Sequence, residues 1–207
     1  MDDDAALHAV LERARSLGFL GPGPVADHLV HARVLADVVG PVGPVRGLDL
    51  GSGGGVPGLA LASWWPESRW TLLDAAERRT AALDEAVTAL EMHDRVTVVR
   101  GRAEDVGRDP GHRGRYGLVV ARSFGAPAVT AECGGAFLEL GGRLVVAEPP
   151  DDRPDRWPAA GLAELGLAVV LEPGAARVAI LQRVAPLEER WPRRSGVPAK
   201  RPLWRSR

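Results

Sequence analysis

Apolar residues recur at three- and four-residue steps at the start of the chain and then fall into short runs separated by further helical stretches. Leu7, Val10, Leu11, Ala14 and Leu17 mark one face of a helix over residues 3–17, with acids at its start, where the helix dipole favours them. Gly18 is a stop, and Gly21-Pro22-Gly23-Pro24 is a linker. A second helix covers residues 25–39 with Leu29, Val30, Leu35 and Val38 inward, and Gly40-Pro41-Val42-Gly43-Pro44 ends it.

The remainder alternates. Strands are expected at residues 45–50, 69–74, 96–100, 117–121, 143–148, 168–172 and 177–184. Helices are expected at 56–64, 77–92, 126–140 and 162–165, and a polar loop at 151–158. Pro173-Gly174 makes a hairpin-like connection between the last two strands. Strands alternating with helices predict an α/β fold: a doubly wound, mostly parallel, seven-stranded sheet preceded by N-terminal helices. In such sheets a ligand sits outside the carboxyl ends of the strands, near the switch point. The expected division is an N-terminal helical segment over residues 1–44, a ligand-binding domain over 45–184 and a tail over 185–207.

Composition narrows the classes. The chain has 207 residues, 45% of them apolar, which is enough for a substantial core. No apolar run reaches the ~18 residues of a membrane helix. Met1-Asp2-Asp3-Asp4 has the opposite sign from a secretory leader, so the expected location is the cytoplasm. Cys133 is alone and the five histidines are scattered, so neither a disulfide framework nor a metal site is expected. The net charge of -1 argues against a nucleic-acid partner only until the charges are located. Residues 190–207 hold seven cations and no acid, so this segment carries +7 and the rest of the chain -8.

The sharpest local signal is Leu48-Asp49-Leu50-Gly51-Ser52-Gly53-Gly54-Gly55-Val56-Pro57-Gly58, a glycine loop between the first strand and a helix. Glycine serves where backbone takes positive φ and comes close to a ligand. Gly53-x-Gly55-x-x-Gly58 fits a dinucleotide fingerprint. Asp49-x-Gly51-x-Gly53-x-Gly55 fits the loop that binds S-adenosyl-L-methionine. Asp49 is unwelcome beside a pyrophosphate but helps an ammonium and a sulfonium. Asp74, ending the next strand, can accept both ribose hydroxyls of either ligand.

With these residues in view, the sequence resembles the glucose-inhibited division protein B family, the RsmG-type methyltransferases that methylate N7 of a guanine in 16S ribosomal RNA. Four stretches carry the match: residues 49–58 with the Pro57-Gly58 step; Thr71-Leu72-Leu73-Asp74-Ala75-Ala76-Glu77-Arg78-Arg79; Arg102-Ala103-Glu104-Asp105 with Ala121-Arg122-Ser123; and a tail from Trp191-Pro192-Arg193-Arg194 through Gly196, Pro198 and Lys200 to Pro202-Leu203. The resemblance implies a Rossmann-like class I methyltransferase fold, with cofactor contacts at Gly51, Val56, Ala103, Glu104 and Arg122. Asp49, Gly53, Gly55 and Asp74 join them on the physical argument above.

Guanine N7 is nucleophilic through an in-plane lone pair, so its methylation needs placement rather than a general base. No catalytic residue is therefore expected. Arg193, Arg194, Lys200 and Arg201, interleaved with Trp191 and Trp204, are expected to meet RNA phosphates and stack on a base over the rim of the site. The expected partner is ribosomal RNA or the 30S subunit, engaged by a monomer. The chain departs from the family pattern at Gly117 and Glu148. These leave open a different RNA or small-molecule substrate, or a non-catalytic cofactor-binding homologue. His28 and His31 read as surface or cap residues, Trp64, Trp65 and Trp70 as packing, and Cys133 as a buried helix residue.

Overall fold

The computed structural model describes residues 3–40, 45–149, 156–171 and 177–205. Helices α1 (Asp3–Ser16) and α2 (Val25–Val39) come first. There follow β1 (Arg46–Leu50), α3 (Gly58–Trp64), β2 (Arg69–Asp74), α4 (Glu77–Ala89) and β3 (Val96–Arg100). Next come α5 (Ala103–Val106), β4 (Tyr116–Ala121), α6 (Pro127–Gly135) and β5 (Leu138–Ala147). The chain continues through α7 (Ala159–Glu164), β6 (Leu167–Leu171), β7 (Val178–Arg183) and the short α8 (Val197–Lys200).

The seven strands form one sheet in the order β3-β2-β1-β4-β5-β7-β6. All neighbouring pairs from β3 to β5 are parallel, and β7 runs antiparallel to both β5 and β6. The chain winds outward from β1 in one direction and then restarts at β4, so β1 and β4 flank the switch point. Strands covered on both faces read as nearly continuous apolar runs, and β1, β2 and β4 are buried along almost their whole length. Helices α1 to α4 cover one face, with Leu7, Leu11, Leu35, Leu59 and Leu83 against Trp70, Leu72 and Val120. Helices α5 to α7 cover the other, with Cys133, Phe137, Leu162 and Trp191 against Leu48, Leu50 and Leu144. Each fully buried Leu contributes about 2 kcal/mol by area. No described helix is long and apolar enough to cross a membrane.

The structure corrects several expectations. The helix expected over 126–140 stops at Gly135, and Leu138 already pairs with Tyr116 at the start of β5. The reason is packing: a Cβ on Gly134 would lie 2.9 Å from Leu144, so only glycine lets the helix end descend onto the sheet there. The helix expected to start at Val56 starts at Gly58, because Gly51 to Val56 are spent on the loop. Helix α5 was not expected from periodicity, being only four residues long. In α2 the buried stripe is Val25, His28, Ala32, Leu35, Ala36 and Val39, while Val30 is 61% exposed. His28 is thus inside rather than on the surface. Trp64, Trp65 and Trp70 pack as expected, with Trp70 buried against Trp65 and Arg33 stacked on Trp64. Cys133 is buried, and burial pushes its thiol pKa up. Pro173-Gly174 and most of the loop expected at 151–158 lie outside the described residues.

Candidate active site

The loop from β1 to α3 is tied to β2 and to its own ends. Gly51 and Ser52 N–H both donate to the Leu73 carbonyl, at 2.8 and 2.9 Å. The Gly53 N–H donates to Asp74 Oδ2 at 2.9 Å, while the Ala76 N–H donates to Asp74 Oδ1 at 2.8 Å. Asp49 is buried behind the loop, where its Oδ2 accepts the Gly58 N–H at 2.9 Å. That contact requires glycine: a Cβ on Gly58 would lie 2.5 Å from Asp49 Oδ2 and 2.6 Å from Leu72. Burial raises the Asp49 carboxyl pKa to about 7, against the pull of the Gly58 N–H and of Arg122. Gly51 takes φ +74°, and its open side meets Phe124, 2.7 Å from where a Cβ would stand.

In front of the loop lies a cleft of about 1070 Å³. Its floor is Gly51, Ser52, Gly53, Gly54 and Val56, and its roof is the α1–α2 linker with His28 and His31. Its far wall comes from the ends of β4 and β5, with Arg122, Phe124, Glu148 and Trp157. The cleft therefore opens at the carboxyl ends of β1 and β4, beside the switch point. Arg122 follows β4 and is half-buried, and burial lowers its pKa, while Asp49 pulls the other way. Its Nη1 stands 3.2 Å from His28 Nδ1. The Glu148 side chain is buried, pairing with Arg156 at 2.5 Å and accepting the Trp157 indole N–H at 2.7 Å.

The family model described as rRNA small subunit methyltransferase G matches residues 25–148. The ribosomal RNA small subunit methyltransferase G of Roseiflexus castenholzii is 38% identical over 77% of this chain and 71% of its own length. That of Symbiobacterium thermophilum is 34% identical over 86% and 78%. The chain belongs to the rRNA small subunit methyltransferase G family. It is an S-adenosyl-L-methionine-dependent methyltransferase with the Rossmann-like class I fold. The solved T. thermophilus 16S rRNA N2 G1207 methyltransferase, in complex with AdoMet and guanosine, shares 25% identity at a TM-score of 0.51. That match covers 76% of this chain and 40% of the other.

The residues of this family member suit the cofactor. The loop offers close backbone approach, the buried carboxylate behind it suits a cationic ligand, and Arg122 offers N–H donors to a carboxylate. Of the expected contacts, Gly51, Gly53, Val56 and Arg122 line the cleft. Asp49 and Asp74 stand behind them, joined to the loop through the Gly58 and Gly53 amides, and the Gly55 N–H donates to the Ser52 carbonyl. Ala103 and Glu104 sit apart in α5 and are buried. The Glu104 carboxylate faces the tail, where Oε1 accepts the Gly196 N–H at 2.9 Å.

The tail is the largest departure from expectation. Trp191 is buried in the core beneath α5 to α7. Arg193 lies over Glu132 of α6, with Nη2 2.6 Å and Nε 3.0 Å from the two carboxylate oxygens and its own backbone N–H donating at 2.8 Å. Arg193 therefore faces inward, because Glu132 is only 1% exposed and needs a partner. Arg113 donates to the Trp191 carbonyl and Arg108 to that of Pro192. Ser195 donates to Asp105 at 2.8 Å, and Trp204 to the Arg156 carbonyl at 3.0 Å. Arg194, Lys200 and Arg201 remain exposed.

The two departures from the family pattern separate in space. Gly117 is near the amino end of β4, where Val45 and Glu139 crowd it, at the opposite end of that strand from the cleft. Glu148 lines the cleft itself. His28 lines the cleft without having been expected there, and Glu132 is the unexpected buried partner of the tail. For His28 the usable signal was its phase: Val25, His28, Ala32 and Leu35 fall at three- and four-residue steps.

Proposed function

We propose that the cleft methylates N7 of a guanine in 16S ribosomal RNA, in the context of the 30S subunit and as a cytoplasmic monomer. The observation that carries this reading is that the polar groups around the glycine loop are already committed within the protein. Asp49 and Asp74 accept backbone N–H groups, and His28 sits between Arg122 and the Gly21 carbonyl. A site of this kind suits a nucleophile that brings its own lone pair and needs only placement. S-adenosyl-L-methionine, when bound, supplies an electrophilic methyl group on a sulfonium.

In this reading Gly51, Gly53 and Val56 hold the cofactor by backbone approach, with Gly55 turning the loop and Asp49 as the negative charge behind them. Asp74 accepts the ribose hydroxyls. Ala103 and Glu104, at the start of α5 and outside the cleft lining, would offer backbone amides to the adenine edge, since the Glu104 carboxylate is taken by the Gly196 N–H. Arg122 pairs with the cofactor carboxylate. Arg79, Arg156 and Arg177, which line the cleft, and Arg194, Lys200 and Arg201 on the tail draw in RNA phosphates.

The test is transfer of labelled methyl groups to undermethylated 30S subunits, followed by mapping of the modified nucleotide. A single N7-methylguanine in 16S RNA is expected. Cofactor binding without transfer to 30S subunits rules the substrate out. Glu148, an acid in the cleft wall, favours a second reading in which the same chemistry serves another RNA or a small molecule, and label in such a substrate alone supports it.

A further inference from the structure

His28 lies on α2, is 8% exposed and faces the cleft. Its Nδ1 stands 3.2 Å from Arg122 Nη1, and its Nε2 stands 3.2 Å from the Gly21 carbonyl oxygen. A guanidinium only donates and a carbonyl only accepts. The ring must then offer a lone pair at Nδ1 and carry its proton on Nε2. The two contacts demand the same neutral tautomer, so each fixes the other. Arg122 reaches from the end of β4, and Gly21 from the α1–α2 linker. His28 thus ties the roof of the cleft to its wall.

We propose that His28 is a positioning residue for methyl transfer: its neutral ring, braced by the Gly21 carbonyl, fixes the Arg122 guanidinium in the cleft, and a second ring proton loosens the hold on the cofactor. This rests on the reading above that Arg122 pairs with the cofactor. A doubly protonated ring has no acceptor for the Arg122 N–H and sets two positive charges face to face.

The groups around His28 act in both directions. Burial and then Arg122 lower its pKa, the Gly21 carbonyl raises it, and the neighbours His31 and Asp27 on α2 lower and raise it in turn. The net direction is down from the ordinary value of 6.5. With the folded pKa below the unfolded one, the contact is intact above the ordinary histidine range. It is lost as pH falls through the folded value. Asp49 also acts on Arg122, from behind the loop.

The experiment is calorimetric binding of S-adenosylhomocysteine, the reaction product, between about pH 5 and about pH 8. Wild type is compared with His28→Gln, whose amide oxygen can still accept but does not titrate. At about pH 8 the variant binds within about threefold of wild type, because its amide oxygen keeps the Arg122 contact. Toward about pH 5 the ratio of the two dissociation constants shifts roughly tenfold in the variant's favour, the worth of one charge-assisted hydrogen bond, since only wild type loses its contact there. Asp49 titrates in both proteins and cancels from the ratio. A ratio constant with pH overturns the proposal. Arg122→Gln separates this from the underlying reading: unchanged binding by that variant removes the Arg122 role itself. Should His28→Gln fail to fold, the ring nitrogen resonances of wild type decide. A neutral Nε2–H ring at about pH 7.5 supports the proposal, and an Nδ1–H or charged ring overturns it.

Discussion

The loop between β1 and α3 and the segment after β7 are both held by carboxylates, at very different sequence distances. In the loop, Asp49 holds an amide 9 residues on and Asp74 one 21 residues back. In the tail, Glu132 and Glu104 hold backbone amides 61 and 92 residues away. The loop's acids lie in or at the ends of the strands that make it, so its pattern can be read within one β-α-β unit. The tail's acids belong to helices on the far face, so its path depends on the whole sheet having formed. Charge on a surface segment is therefore no guide to which way the charge points: Arg193 is a structural strap, and its neighbour Arg194 is exposed.

The widest gap between these regions is expected for Glu132→Ala. Removing the buried partner of Arg193 costs about 3 kcal/mol of unfolding free energy, read by urea denaturation. It should also loosen residues 191–204 in hydrogen exchange while the glycine loop stays protected. A loss below about 0.5 kcal/mol would show that Trp191 alone anchors the tail. The next effect is local. Gly58→Ala places a Cβ between Asp49 and Leu72, costs about 2 kcal/mol by overpacking and abolishes cofactor binding, with the tail's exchange unchanged. The smallest stability effect belongs to the outward face of the tail. Replacing Arg194, Lys200 and Arg201 by Gln leaves stability within about 0.5 kcal/mol and flattens the salt dependence of RNA affinity by roughly two phosphate contacts. An unchanged salt slope would move the RNA contact to the cleft arginines.

These contrasts also say what was legible in the chain. The order of strands and helices and the loop at β1 followed from local apolar runs and glycine density, because parallel strands buried on both faces leave that imprint. Glu132 was not legible, since a lone acid in an apolar helix shows no partner until Arg193 is brought across from the tail. His28, expected as a surface or cap residue, shares the phase of Val25, Ala32 and Leu35, but what it meets there, Arg122, lies 94 residues on. The end of α6 was misjudged because nothing local reveals how closely Gly134 approaches Leu144.

By itself, then, the sequence determined the doubly wound fold, the glycine loop with its two acids, and the uneven placement of charge. All of these rest on periodicity, backbone freedom and composition within single β-α units. The tertiary structure decided which charges face inward, that the tail straps α5 and α6, and that His28 of α2 meets Arg122 in the cleft. Those outcomes depend on pairing buried charges and N–H groups across distant segments, and a buried charge takes whichever partner the finished fold brings within hydrogen-bonding distance.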